Sequence, residues 1–479
     1  MARAERWMRR ARNALCLCLL TAGTVAATQP APPQPDAEKD AYPSTYAAPR
    51  SKPVLFTDAT ILDGAGKRLD HADLLIRNGK VAAIGHQLDH PADAETVDAH
   101  GRWITPGLID VHSHFGTFAL PQTSADADSS DVTELSSPNA AGTRIEHAVD
   151  PSDPAFRHAL AAGVTTLQIL PGSSVIFGGR SVVVKPIPVA TIAAMKFPDA
   201  PSGMKMACGG NPKGHFGPLG RAPNSRQGEF EIMREALLEA RQHVEKRQAK
   251  IEQHRERGGH EEAVRGGFRD RDDPDDEALM DLVEGKLIVH VHCYRSDDMA
   301  RMIDLAREFG FHIGTFHHAS EAYKIAPLLV ANGVCIATWP DWWGFKGEAE
   351  DGIRENAAFV DAAGGCVMMH SDIPVLSEHL NIEAAKAAAA GRRAGLSLPP
   401  EHVIAWLTAN PAKALGLDDR IGRLVPGYNA DVVLWSGDPF SVYSFADRVY
   451  IDGALRFDRA LPPRPSDFEL GRSIMRGAR

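Results

Sequence analysis

Between residues 104 and 411 the chain repeats one unit, a short apolar run that reads as a buried strand followed by a helical stretch. The runs are Gly107 to His112, Val164 to Leu170, Ser181 to Lys185, Met204 to Cys208, Leu287 to His292, His312 to Phe316, Val334 to Thr338 and Cys366 to His370. Parallel strands covered by helices on both faces read as continuous apolar runs, because neither face meets water. Eight such units predict an α/β fold, a (β/α)8 TIM barrel, with an open doubly wound sheet as the alternative. A length of 479 residues, 44% hydrophobic and 24% charged, supplies a core of that size and excludes a disordered or small disulfide-stapled protein.

The flanks have a different texture. Val54-Leu55-Phe56, Asp73 to Ile76, Lys80 to Ile84 and Glu95 to Asp98 are short strands broken by Asp-Gly, Asn-Gly and Gly turns, and Ala430 to Trp435 and Arg448 to Gly453 match them. The two ends (54–105 and 416–460) are therefore expected to pair into one small β-sandwich-like domain beside the barrel (106–415). Residues 227–284 interrupt the rhythm with a charged helix, Glu229 to His254, and a run of alternating charge, Arg265 to Asp276. They read as a solvated helical insertion.

Residues 1–27 combine five arginines, the apolar stretch Ala14 to Leu20 and the small residues Val25-Ala26-Ala27, the layout of a secretory signal peptide. The stretch is too short to span a bilayer, so the expectation is an exported, periplasmic or secreted protein with no stable membrane insertion. Residues 28–53 are a Pro-rich linker or surface arm, and 461–479 a tail. Of the cysteines left after cleavage, Cys208, Cys293, Cys335 and Cys366 are far apart with no C-x-x-C pair. They read as buried thiols, with a single disulfide as the alternative. A net charge of −10 offers nothing to nucleic acid or an anionic membrane. Exposed helices around a barrel leave homo-oligomerisation open.

The 20 histidines are the unusual component. His112-Ser113-His114 ends the first run, and alternate strand residues face the same way, so both imidazoles can reach one ion. His290-Val291-His292 ends the fifth, with His292 nearer the C-terminal mouth. His317 and His318 end the sixth, and alternation lets only one of them face inward. His370 and Asp372 close the eighth, with Asp372 at the mouth. Together these place nitrogen and oxygen donors around one axis, a set that suits zinc or a similar divalent ion. Trp339, Trp342 and Trp343 follow the seventh run and can wall a pocket at the same mouth, or pack on the barrel. Arg295 is the candidate for a substrate carboxylate.

The stretch Ile104 to His114 resembles the opening metal motif of the amidohydrolase superfamily, and Asn410 to Val433 resembles its return into the β domain. His292-Cys293-Tyr294-Arg295, His318-Ala319-Ser320-Glu321 and His370-Ser371-Asp372 are similar to the imidazolonepropionase-like branch, which also holds prolidase-like members. The resemblance implies that His112, His114, His292 and His318 are metal ligands and Asp372 a ligand and proton shuttle. Catalysis would centre on Asp372 and His318, with one or two divalent ions per chain. Binuclear relatives bridge their ions with a carboxylated lysine or a glutamate. Lys185 and Lys205 are the available lysines, Lys185 standing equally as a structural ion pair, and this chain carries Gly210 where relatives carry glutamate. The implied activity is hydrolysis of a C–N bond in a small linear or cyclic amide. The alternatives are a prolidase-like dipeptidase and a binding protein that has lost catalysis.

Overall fold

The computed structural model describes residues 40–118, 130–257 and 273–461. The predicted signal peptide, residues 28–39 of the linker, most of the alternating charge run and residues 462–479 lie outside them. Strands β1 (Val54–Leu62), β2 (Arg68–Arg77), β3 (Lys80–Gly85), β4 (Glu95–Asp98) and β5 (Trp103–Pro106) open the chain. The α/β region carries β6 (Leu108–Ser113), β7 (Val164–Ile169), β8 (Phe177–Arg180), β9 (Val182–Val184) and β10 (Gly203–Ala207). It continues with β11 (Ile288–Cys293), β12 (Ile313–His318), β13 (Cys335–Thr338) and β14 (Val367–Met369). Strands β15 (Val432–Trp435), β16 (Ala446–Ile451) and β17 (Ala454–Asp458) end it.

The two ends share one eight-stranded sheet in the order β17-β16-β15-β5-β1-β2-β3, with β4 also on β1. Its turns follow from sequence. Asn78-Gly79 between β2 and β3, and Asp452-Gly453 between β16 and β17, all have positive φ. That is the backbone a two-residue hairpin of matching twist requires. The join is the antiparallel pairing of β5 with β15, from Trp103↔Trp435 to Val432↔Pro106. Phe56, Ile61, Leu74, Val432 and Tyr450 fill the core under it. This is a single sheet of eight strands in the described residues, where the turn pattern predicts a sandwich-like unit.

Seven of the eight predicted α/β strands run as expected. β6 pairs parallel with β7, and β10 to β14 form a continuous parallel run. The exception is the Ser181 to Lys185 run: β9 lies antiparallel to β7, with Leu167↔Val184 and Ile169↔Val182. Apolar content marks a strand as buried but says nothing about its direction. Because β9 is reversed, its C-terminal end, Lys185, lies at the N-terminal side of β7, away from the other strand ends. Lys185 is 1% exposed, with Nζ 2.7 Å from Asp452 Oδ2 and 3.6 Å from Asp431 Oδ2. The Tyr46 hydroxyl, on the arm that precedes β1, also donates to Asp452. Lys185 is therefore a buried structural ion pair rather than a member of the histidine cluster.

The cysteines also correct the expectation of free thiols. Both disulfides join neighbouring strands in register: Cys208–Cys293 extends the β10/β11 ladder beyond Ala207↔His292, and Cys335–Cys366 precedes Ile336↔Val367 on β13/β14. Sequence separations of 85 and 31 residues hide this, because only the strand pairing brings each pair to Cα distances of 5.5 and 4.5 Å. No helix among the described residues is long and apolar enough to cross a membrane. Replacing Lys185 by Met strands two buried carboxylates. The expected loss is about 3–5 kcal/mol in urea unfolding, and unchanged stability would show that the pair is not structural.

Candidate metal centre

His112 and His114 leave the end of β6, His290 and His292 that of β11, His317 and His318 that of β12, and His370 and Asp372 follow β14. Parallel pairing brings these ends together. Asp372 N donates to His112 O at 2.8 Å, tying the chain after β14 to β6. Asp110 Oδ1 accepts from Ser371 N and His112 N at 3.2 and 3.3 Å and fixes the same junction from below. Burial pushes the Asp110 carboxyl up to about 6 despite those bonds.

His112 Nε2 is 3.3 Å from His114 Nε2, and Asp372 Oδ1 lies 3.1 and 3.3 Å from the same two nitrogens. The His318 ring is 4.4 Å from that of His292 and 4.9 Å from that of His370, which stacks 4.9 Å from His112. Two donor groups meet the spacing of a metal site, His112/His318/His370 and His112/His114/Asp372. His292 is 2% and His370 0% exposed, yet both nitrogens of each, and Nδ1 of His318, lack a hydrogen-bond partner. Unpaired buried polar atoms cost about 1–3 kcal/mol each, and a divalent ion would take one nitrogen of each ring. Four or five imidazole nitrogens with one carboxylate oxygen is a donor set suited to zinc.

Alternation predicts that only one of His317 and His318 faces inward, but both are buried in the cluster. His318 has φ 69° and Ala319 φ 42°, so the strand twists out of extended geometry as it ends and carries His318 toward the same interior as His317. Asp372, at φ 65°, is turned in the same way. Left-handed backbone at residues other than glycine is costly and gathers at functional sites.

The lysine in the cluster is Lys205, on β10, with Nζ 3.5 Å from His112 Nε2 and donating to Pro171 O at 3.0 Å. Burial lowers its pKa to about 7, partly offset by Asp372. Met204 and Met206 flank it on an ordinary strand pattern, and the direction of β9 is what separates Lys205 from Lys185. For Asp372, burial acts to raise the pKa, but the hydrogen bond with His114 and the surrounding histidines hold it well below the usual carboxylate range.

Tyr294 and Trp339 stack on opposite sides of the sequence but on one ring, that of His318, at 4.9 and 4.5 Å. Trp342 stacks on Trp339 at 4.9 Å. With Trp343 and Arg354 they line a cavity of about 310 Å³ that reaches His318. All three tryptophans singled out in the sequence line this cavity, Trp343 standing 67% exposed at its rim. Arg295 lies outside it, exposed and paired with Asp297 at 2.9 Å, on a separate cleft with Arg226, Lys346 and Glu348. Beside that cleft Gly210 N donates to Glu348 Oε1, and a Cβ at 210 would come within 2.5 Å of Glu348 Oε2. A side chain at this position would require the Glu348 carboxylate to move.

The Amidohydro_3 amidohydrolase family matches residues 203–456. The chain belongs to the amidohydrolase family. It is 32% identical over 406 residues to the amidohydrolase tasK of Hapsidospora irregularis, covering 81% of this chain but only 40% of that relative. An amidohydrolase from Thermotoga maritima MSB8 superposes with a TM-score of 0.74 at 33% identity, over 85% of this chain and all of that one. Over 57 residues, 11% of this chain and 13% of the relative, it is 46% identical to the imidazolonepropionase of Agrobacterium fabrum.

Glu229, on the helix Arg226–Glu256, accepts from Gly209 N at 2.9 Å, and burial raises its carboxyl to about 7. A raised carboxyl pKa means the folded state binds the proton more tightly, so stability falls as pH rises from about 4.5 to about 7. Glu229→Gln is expected to raise the melting temperature at pH 8 and to change little at pH 4. An equal shift at both pH values would refute the burial of a charge.

Proposed function

We propose that this amidohydrolase cleaves the C–N bond of a small amide, with His112, His114, His292, His318 and Asp372 holding a divalent ion of zinc type. The observation that supports the reading is two donor groups that share His112, namely His112/His318/His370 and His112/His114/Asp372, beside buried imidazole nitrogens of His292, His318 and His370 that have no hydrogen-bond partner. An ion bound there supplies a Lewis acid and brings the pKa of water toward neutrality. Asp372 then accepts the proton of the attacking water and returns it to the leaving nitrogen, the C–N bond breaks, and a carboxylic acid and an amine depart. Lys205 replaces Lys185 as the candidate for a bridging carboxylated lysine, and with it a second ion. The two α/β sheets are read as parts of one (β/α)8 barrel, supported by the bond from Asp372 N to His112 O at 2.8 Å, which ties the chain after β14 to β6.

The cavity bounds the substrate. Its aromatic wall suits a flat or apolar group, and Arg354 lines it with no carboxylate in ion-pair reach among the described residues, whereas Arg295 has Asp297. Arg354 is accordingly our candidate for a substrate carboxylate. A carboxylate near an amide also favours the second reading, a prolidase-like dipeptidase, which release of proline from Xaa-Pro substrates would establish. Two disulfides that use every cysteine among the described residues support export to an oxidising compartment.

The test is metal content by plasma mass spectrometry beside turnover on N-acyl amino acids and Xaa-Pro dipeptides. His112→Ala is expected to lose metal, and Asp372→Asn to keep metal while kcat falls about 10²–10⁴-fold. Wild-type protein purified without a transition metal, and unable to take one up, would refute the reading. Arg354→Leu is expected to lower kcat/KM at least tenfold for carboxylate-bearing amides and to leave uncharged amides unaffected; equal loss on both would remove Arg354 from recognition.

A further inference from the structure

The two histidines at the end of β6 are oriented by different partners. His114 Nδ1 donates to Leu170 O at 2.7 Å. A carbonyl can only accept, so His114 Nε2 keeps its lone pair toward the centre. His112 meets no carbonyl at the corresponding place. Its Nδ1 faces His317 Nδ1 at 3.1 Å, His317 Nε2 faces His290 Nδ1 at 3.1 Å, and His290 Nε2 faces the side-chain amide of Gln168 at 2.9 Å. The same amide meets Ser181 Oγ at 3.0 Å. His112, His290, His317 and Gln168 are at most 1% exposed. Gly203 leaves room for the column: a Cβ there would lie 2.5 Å from Ser181 Oγ and 3.0 Å from His290 Cδ2.

A neutral imidazole has one N–H and one acceptor nitrogen. Three rings joined through two N···N contacts must therefore all point the same way, and only two polarities exist. In one, the Gln168 amide N–H donates into the column and the last proton emerges on His112 Nε2, facing Asp372, where no lone pair is left for a cation. Gln168 Oε1 is buried without a partner in this placement, and the amide nitrogen would stand there after a half-turn, so the unpaired end of the amide does not itself choose between the two. In the other, a half-turn of the amide lets Oε1 accept from both His290 Nε2 and Ser181 Oγ. Every ring then donates toward Gln168, and His112 Nε2 presents its lone pair to the centre. Oxygen and nitrogen of an amide occupy nearly the same shape, so the groups at the far end of the column decide: an ion at His112 Nε2, or the Lys205 ammonium 3.5 Å from it, needs the lone pair of the second polarity.

We propose that Gln168, acting through His290 and His317, sets the tautomer of His112 and so makes its Nε2 a ligand. Gln168, His290 and His317 are positioning residues, and the proposal rests on the reading of His112 as a metal ligand. The column does for His112 what one backbone carbonyl does for His114.

The test compares zinc affinity, by competition with a chromogenic chelator, in the metal-free wild type, Gln168→Leu, His317→Phe, the double variant and His112→Ala. Loss of an outer partner of a metal-bound histidine weakens binding by about 10–100-fold, and Gln168→Leu is expected in that range. In the His317→Phe background Gln168→Leu should add nothing, since the column is already broken. Wild-type affinity in Gln168→Leu, or additive losses in the double variant, would overturn the proposal. Retention of zinc by His112→Ala would instead overturn the ligand reading beneath it. Should a variant fail to fold, ¹⁵N spectra of histidine-labelled metal-free wild type decide. With His112 assigned from its absence in His112→Ala, protonation at Nδ1 is expected, and protonation at Nε2 overturns the proposal.

Discussion

The register of the parallel strands is the constraint on which the centre depends. β10 to β14 advance side by side, and β6 is tied to the chain after β14 by Asp372 N and His112 O, 2.8 Å apart. Parallel strands end on one side together, so residues distant in sequence arrive at one place without any long-range search by their side chains. A slip of one residue would turn each histidine to the opposite face. The disulfides sit where such a slip would act, joining β10 to β11 beside His292 and β13 to β14 ahead of His370. Each closes a chain loop and fixes a strand pair, a stabilisation of about 2–4 kcal/mol.

The cluster that results is expensive on its own. Burial lowers the pKa of His112, His290, His292, His317, His318 and His370 alike, and Lys205 adds to the effect on most of them. Six imidazoles are thus kept neutral, the form in which nitrogen offers a lone pair. Asp372 departs from the pattern as the one carboxylate held ionised among them. A site of neutral nitrogens with one fixed negative charge favours a cation over a proton, because a proton would have to be carried by a buried ring with nothing to solvate it.

Much of this was legible in the sequence. The eight apolar runs, the pairing of the two chain ends and the gathering of His112, His114 and His292 follow from alternation and from where each run stops, whereas His318 was separated from His317 only by the family resemblance. Three things did not follow. Strand direction is not written in composition, so β9 looked like its neighbours and Lys185 looked like a mouth residue, when reversal sends it to Asp431 and Asp452. Cross-strand register is not written in spacing, so cysteines 85 and 31 residues apart gave no sign of pairing. Alternation also assumes extended backbone, and it fails at His318 and Asp372, where φ is positive. These are positions where tertiary contacts overrule local preference, and two of them are at the centre itself.

That failure of alternation is what brings both histidines of the pair inside. Had β12 stayed extended to its end, His317 would face inward and His318 outward, or the reverse, and one of the two would be lost to the site. The turn at His318 separates their roles instead. His318 reaches the mouth against Tyr294 and Trp339, while His317 stays in the layer below, with both nitrogens engaged by His112 and His290. The lower layer has no access to a substrate in the cavity and no unpaired nitrogen on His317 or His290 to offer an ion. What it can transmit is the direction of a hydrogen bond, and a buried column of neutral rings transmits it without a net charge anywhere along its length.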